Sequence, residues 1–85
     1  MAGQLYILLT RLIKSEPHLE PSDKAKTARI MQAVLKNPFD TRAFDLFQQS
    51  LTAKYGNEIS AFLNELNEII EKAEIEYGKR KEERG

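Results

Sequence analysis

Hydrophobic and polar positions alternate with helical spacing along most of the chain, and most clearly in its last third. There a narrow apolar stripe repeats every three or four residues. Its members are Ile59, Phe62, Leu63, Leu66, Ile69, Ile70, Ala73 and Tyr77. The stripe predicts an amphipathic helix over about 58–83, roughly 38 Å long at 1.5 Å per residue.

Two shorter helices are predicted in the first half of the chain. The first covers about 4–14 and is apolar nearly all round, so it is expected in the middle of a bundle. Pro17 and Pro21 end it, because each proline pushes the residue before it out of helical geometry. The second covers about 23–36, with Ser22 as its N-cap.

A third helix is predicted over about 38–55. Asn37 suits its N-cap, and Pro38 suits the first helical position because its missing N–H costs nothing there. Gly56 is expected to end this helix in the left-handed cap conformation. The short connection at this glycine favours an antiparallel pair of third and fourth helices.

The third helix carries three of the four phenylalanines on one arc, Phe39, Phe44 and Phe47. Leucine and alanine share that arc, which therefore predicts an aromatic centre for the bundle. In the alternative interpretation, Phe39 or Phe44, at the edges of the arc, lies in a groove that accepts a partner helix.

These elements predict a single domain over residues 1–85 of the all-α class, a compact bundle of four helices with a long C-terminal helix. A charged tail follows at 78–85. The last turns of the fourth helix have no helix of equal length to lie against. Ile75 and Tyr77 in those turns are therefore predicted to contact a protein partner or a second copy of the chain, with a homodimer as the expected assembly.

Composition narrows the possible functions. The absence of cysteine excludes disulfides, thiolate zinc sites and cysteine nucleophiles, and it favours a cytoplasmic location. Thirteen basic and thirteen acidic residues give no net charge, which argues against a broad positive field for nucleic acid or anionic membrane. The apolar run "LYILLTRLI" is far too short to cross a bilayer, so no membrane partner is expected.

Candidate chemistry is sparse. His18, the single histidine, lies between Glu16 and Glu20 in a proline-flanked loop, where we expect a solvated side chain rather than a metal ligand. The sequence has no Ser/His/Asp set, no glycine-rich phosphate loop and no HExxH pattern. We therefore expect no enzymatic activity, no metal and no cofactor.

The favoured function is a small interaction module, acting as an adaptor, regulator or inhibitor through its long C-terminal helix. The alternative is a nucleic-acid-binding accessory protein with a basic arm formed by Lys79, Arg80, Lys81 and Arg84. A helix-turn-helix built from the second and third helices is disfavoured. Asp40 and Asp45 would place negative charge where such a helix meets DNA.

In length and predicted helix order, the chain resembles the small four-helix bacteriocin immunity proteins. The resemblance covers the overall plan and no individual motif. It implies a helical protein without catalytic chemistry that protects a producing cell by intercepting the target complex of its own toxin.

Overall fold

The computed structural model describes the backbone of residues 2–84 and the side chains of residues 3–78. Within that range every regular element is helical, which confirms the predicted all-α class. The elements are α1 (Ala2–Ser15), α2 (Pro21–Lys36), α3 (Arg42–Tyr55), a 3-10 turn (Gly56–Ile59) and α4 (Ser60–Arg84). No non-helical residue separates α3 from α4, so the predicted division into four separate helices is confirmed only in part.

Helix α2 begins at Pro21, earlier than the predicted position 23. Glu20 is the N-cap residue in an extended conformation, and its carbonyl accepts the Lys24 N–H at 3.0 Å. Pro21 fits the first helical position because the N–H it lacks would have no partner there. Ser22 therefore lies inside the helix, and its predicted role as the N-cap is wrong.

Helix α3 begins at Arg42, later than the predicted position 38. The Asn37 N–H instead closes the end of α2 on the Ala33 carbonyl at 3.2 Å. The Asp40 N–H bonds back to the Asn37 carbonyl at 3.1 Å, which makes a turn around Pro38. Asparagine followed by proline suits a turn as well as a helix start, and here the turn is formed.

Gly56 has a positive φ of 66°, as its predicted cap role requires. Its ψ of −141° is far from the left-handed helical value of about +47°. The chain therefore turns more sharply than the predicted cap and enters the 3-10 turn directly.

Contacts between helices show that neighbouring elements run antiparallel. The Tyr6 hydroxyl donates to the Gln32 carbonyl at 3.5 Å, which places the start of α1 beside the end of α2. The Asn67 amide donates to the Gln48 side chain at 2.8 Å, which pairs α4 with α3. Near the opposite end of α2, Asp23 contacts the C-terminal end of α3. The chain direction reverses from α1 to α2, from α2 to α3 and from α3 to α4. Helices α1 and α4 are therefore antiparallel to each other.

The core lies where the four helices meet. Its fully or nearly fully buried members are Leu5, Leu9, Ile13, Leu19, Met31, Val34, Phe44, Leu51, Ile59, Phe62, Leu63, Leu66, Ile69, Ile70 and Ala73. Apart from Tyr77, the whole predicted stripe of α4 is in this set. Leu19 lies in the loop after α1, and the helical pattern did not predict that its side chain is buried.

Helix α1 is not central, contrary to the prediction. Ile7 is 58% exposed and Leu8 is 46% exposed, while Leu5, Leu9 and Ile13 are buried. Helices α2 and α4 cover two sides of α1 and leave its outer side open. A helix that is apolar nearly all round is therefore not central in this bundle, because the apolar residues on its outer side remain at the surface.

Helix α4 is the longest element of the described chain. Its 25 residues span roughly 37 Å, and the molecule measures 43 Å along its longest axis. Helices α1 and α3, with 14 residues each, span roughly 21 Å. The end of α4 therefore projects beyond its neighbours, as the sequence predicted.

Candidate protein-interaction surface

A groove of about 710 Å³ runs between α1 and α4 and opens to solvent. Its apolar lining includes Leu8 and Leu12 from α1 and Ile69 from α4. Ile69 is 6% exposed and Leu8 is 46% exposed, so the groove has a buried floor and an open apolar edge. Ile7, 58% exposed, is about 100° further round α1 and lines a separate pocket with Tyr6 and Thr10.

Opposite charges line the two walls of the groove. Arg11 and Lys14 lie on the α1 wall, and Glu65 and Glu68 lie on the α4 wall. All four side chains are exposed. Within residues 3–78, none of them lies within 4.0 Å of an oppositely charged group. The walls therefore carry charge that has no oppositely charged partner within residues 3–78.

Lys72 also lines the α4 wall. Because α1 and α4 are antiparallel, Lys72 lies toward the Leu8 end of the groove. Glu65 lies toward the Lys14 end. The basic residue of α4 is thus more than a turn from Lys14 along the groove.

Two residues that the sequence assigned to partner binding contact each other instead. The Phe39 ring, 60% exposed, packs edge-to-face on Tyr77 with 5.3 Å between ring centroids. Tyr77 is half-buried. The prediction that Tyr77 stays uncovered without a second chain is therefore wrong, since the turn before α3 reaches it.

The other predicted partner residues lie in different environments. Phe44 is 1% exposed in the core and presents no surface in this conformation. Ile75 is 60% exposed on α4. It is seven residues, or about two turns, beyond Glu68, so it lies on the same side of the helix as the α4 wall.

The basic arm of the nucleic-acid alternative cannot be placed in the same way. The side chains of Lys79, Arg80, Lys81 and Arg84 lie outside the residues whose side chains the structure describes. No helix among the described residues has the length and apolar character needed to cross a membrane.

A polar cluster that the sequence did not reveal joins the start of α2 to the end of α3. Lys54 Nζ lies 2.9 Å from Asp23 Oδ2 and 3.0 Å from Glu20 Oε2. The Tyr55 hydroxyl donates a short hydrogen bond to Asp23 and accepts the Glu20 N–H at 3.1 Å. More than thirty residues separate these partners, so no local pattern signals the contact.

Contacts between charged and polar side chains shift the pKa values of three groups. Hydrogen bonds from Lys54 and Tyr55 hold the pKa of Asp23 below its ordinary value. The same contacts with Asp23 and Glu20 raise the pKa of Lys54. Elsewhere, hydrogen bonding to Arg42 lowers the pKa of Asp40. Each shift favours the charged form of the group, so Asp23, Asp40 and Lys54 are charged near neutral pH.

His18 contacts Glu16 of its own loop. Its Nδ1 lies 2.8 Å from Glu16 Oε1, and the same oxygen accepts the His18 backbone N–H at 3.2 Å. Glu20, the third member of the sequence motif, contacts Lys54 instead. Among the described residues, no group of three or more histidine and acidic side chains is placed to hold a metal ion.

No protein-family model matches the chain, and no significant match to it was found among curated proteins or solved structures.

Proposed function

We propose that the protein is a non-enzymatic helical module that binds a protein partner through the α1–α4 face. The observation that carries this proposal is the solvent-open apolar groove between Leu8 and Ile69, bordered by exposed charges. A bacteriocin-immunity-like inhibitor is one form of such a module, with a toxin complex as the partner.

Binding would follow from burial of the open apolar edge. Removing apolar surface from water contributes about 25 cal/mol per Å². Leu8 and Ile75 are large apolar side chains that remain exposed along this face. The charged walls add little affinity but select the orientation of the partner, because like charges brought together oppose binding.

A site-specific cross-link tests the proposal. A photo-reactive amino acid replaces Leu8 in the groove or, as a matched control, Leu46, which is 67% exposed on α3. Irradiation of cells that express each variant is followed by mass spectrometry of the adducts. The proposal requires protein adducts at position 8 that are absent at position 46 and are reduced by Arg11→Glu. Equal adducts at both positions would overturn it.

The nucleic-acid alternative has a separate test. Retention on heparin that fades with salt, and that is abolished by replacing Lys79, Arg80, Lys81 and Arg84 with glutamine, would favour the basic arm. We expect no such retention at physiological ionic strength, because the chain has no net charge.

A further inference from the structure

We infer that the partner seated on the α1–α4 face is a second copy of this chain, related by a two-fold axis parallel to the two helices. This inference rests on the proposed function and names the partner of the same surface. It depends on how charge is divided between the walls of the groove.

The division of charge is systematic along the groove. Arg11, Lys14, Glu65 and Glu68 line one groove. Because α1 and α4 are antiparallel, Lys14 lies toward the Glu65 end of the groove, and Arg11 lies toward the Glu68 end. The two members of each wall are three residues apart, about 4.5 Å along a helix axis. The basic wall and the acidic wall therefore have the same spacing.

With a suitable two-fold axis, the basic wall of one copy faces the acidic wall of the other. A two-fold axis parallel to the helices places α1 of one copy over α4 of the other at the same level. Arg11 then faces Glu68 of the second copy, and Lys14 faces Glu65. Each contact occurs twice, as a two-fold interface requires.

The alternative face-to-face arrangement is unfavourable. An axis perpendicular to the helices, within the plane of the face, places α1 over α1 and α4 over α4. Arg11 and Lys14 would then meet the same basic residues of the second copy, and the acidic residues of α4 would meet each other. Like charges in contact oppose association, so the charge pattern selects the parallel axis.

The apolar residues agree with this choice. The parallel axis brings the exposed Leu8 over α4 of the second copy, beside Ile69. Ile75, on the same side of α4 as Glu68, then faces the first turns of α1 in the second copy. Leu8 and Ile75 thus become part of one interface.

The molecule exposes more surface than a compact monomer of its mass. The solvent-accessible surface of 5949 Å² exceeds by roughly 800 Å² the value expected for a compact monomer of 9.8 kDa. An interface of standard size takes about 800 Å² from each partner.

Sedimentation equilibrium of the pure chain and of two charge-reversed variants tests the inference. We expect wild-type protein to reach twice the chain mass of 9.8 kDa. Arg11→Glu alone and Glu68→Arg alone should each weaken the dimer at least tenfold. An equimolar mixture of the two variants should recover it, because both facing pairs become opposite in charge again.

Controls keep the test specific. Lys26→Glu on α2 and Glu58→Arg in the 3-10 turn make the same changes of net charge away from the groove, and both should leave the dimer constant unchanged. Circular dichroism of every variant checks that it remains helical. Added salt should weaken the wild-type dimer, since exposed charges are screened.

Several results would overturn the inference. A dimer insensitive to Arg11→Glu and Glu68→Arg would use another face. Full recovery when Arg11→Glu is mixed with wild type would indicate the perpendicular axis, because only that axis places residue 11 of one copy opposite residue 11 of the other. A wild-type chain that stays monomeric at millimolar concentration would remove the second copy as the partner. In that last case, adducts of a different protein at position 8 would still support the proposed function, while no adduct would remove both.

Discussion

Phe39 packs edge-to-face on Tyr77, with ring planes at 78° to each other. This contact joins the turn before α3 to the distal part of α4. It pairs with the Gln48–Asn67 hydrogen bond nearer the 3-10 turn, and together the two contacts fix the antiparallel register of α3 and α4. The exposed ring of Phe39 is therefore held by its own chain at one edge.

Alanine substitutions of Phe44 and Phe39 should lower the free energy of unfolding by clearly different amounts. Phe44→Ala removes a side chain that is 1% exposed and should lower the free energy of unfolding by about 3–5 kcal/mol. Phe39→Ala removes one aromatic pair and should cost about 0.5–1.5 kcal/mol. Urea unfolding followed by circular dichroism measures both. Equal losses would contradict the assignment of Phe44 to the core and Phe39 to the surface.

Acid should remove stability through Asp23. Its pKa is lower in the folded chain than the ordinary value of 3.8, so the folded state binds this proton less readily than the unfolded state. The stabilisation is therefore fully present above about pH 4 and is lost as pH falls toward the folded pKa. Asp23→Asn should cost about 1–2 kcal/mol at pH 7 and much less near pH 2.

Asp40→Asn is the matched control for this titration. Arg42 lowers the pKa of Asp40 in the same direction, but the Arg42 side chain is 90% exposed and water screens the pair. We expect a smaller change at pH 7 than for Asp23→Asn. Chemical denaturation at several pH values compares the two, and a larger effect of Asp40→Asn would contradict the structural role of the Lys54 cluster.

Two glycines should respond to alanine with opposite signs. Gly56 has φ +66°, which L-residues rarely adopt, so Gly56→Ala should destabilise by about 1–3 kcal/mol. Gly78 lies inside α4 with no atom near its Cβ position, so Gly78→Ala should raise the helicity of α4 and stabilise by up to about 1 kcal/mol. Thermal melts of the two variants should shift in opposite directions.

Thr27 offers a test of what its buried hydroxyl contributes. The side chain is fully buried, and its Oγ1 donates to the Asp23 carbonyl at 2.7 Å. That carbonyl also belongs to the helical ladder, so Thr27→Val leaves no buried group unpaired and should change stability by less than about 1 kcal/mol. Thr27→Ser deletes a buried methyl group and should cost about 1 kcal/mol. If Thr27→Val proves the more damaging, the hydroxyl has a larger role than this contact implies.

The sequence predicted α4 well because its apolar stripe is local and has a single period. The start of α3 was predicted wrongly, since Asn37 and Pro38 suit both a helix start and a turn, and contacts with the end of α2 decide between them. Leu19 was missed because a loop residue has no periodic signal. The predicted aromatic centre is confirmed for Phe44, which is buried, and wrong for Phe39, which is 60% exposed. Tyr77 was predicted to stay uncovered, but Phe39 in the turn before α3 packs on it.

The candidate site was predictable only in its parts. Ile75 was recognised as an exposed apolar residue from the length of α4 alone. The groove depends on which sides of α1 are left open, and this follows from how the helices pack rather than from the order of residues. The same holds for Lys54 and Asp23, which are distant in sequence and meet only in the folded chain.

The antiparallel order of the helices also affects the folding rate. Helix α2 packs beside both α1 and α3, the 3-10 turn packs beside α3 and α4, and α1 with α4 is the pairing that closes the longest loop. Helical topologies dominated by such short-range contacts fold in microseconds to milliseconds. The contact between α1 and α4 should therefore form late in folding. Local opening of the native state should be detected by hydrogen exchange first at this contact.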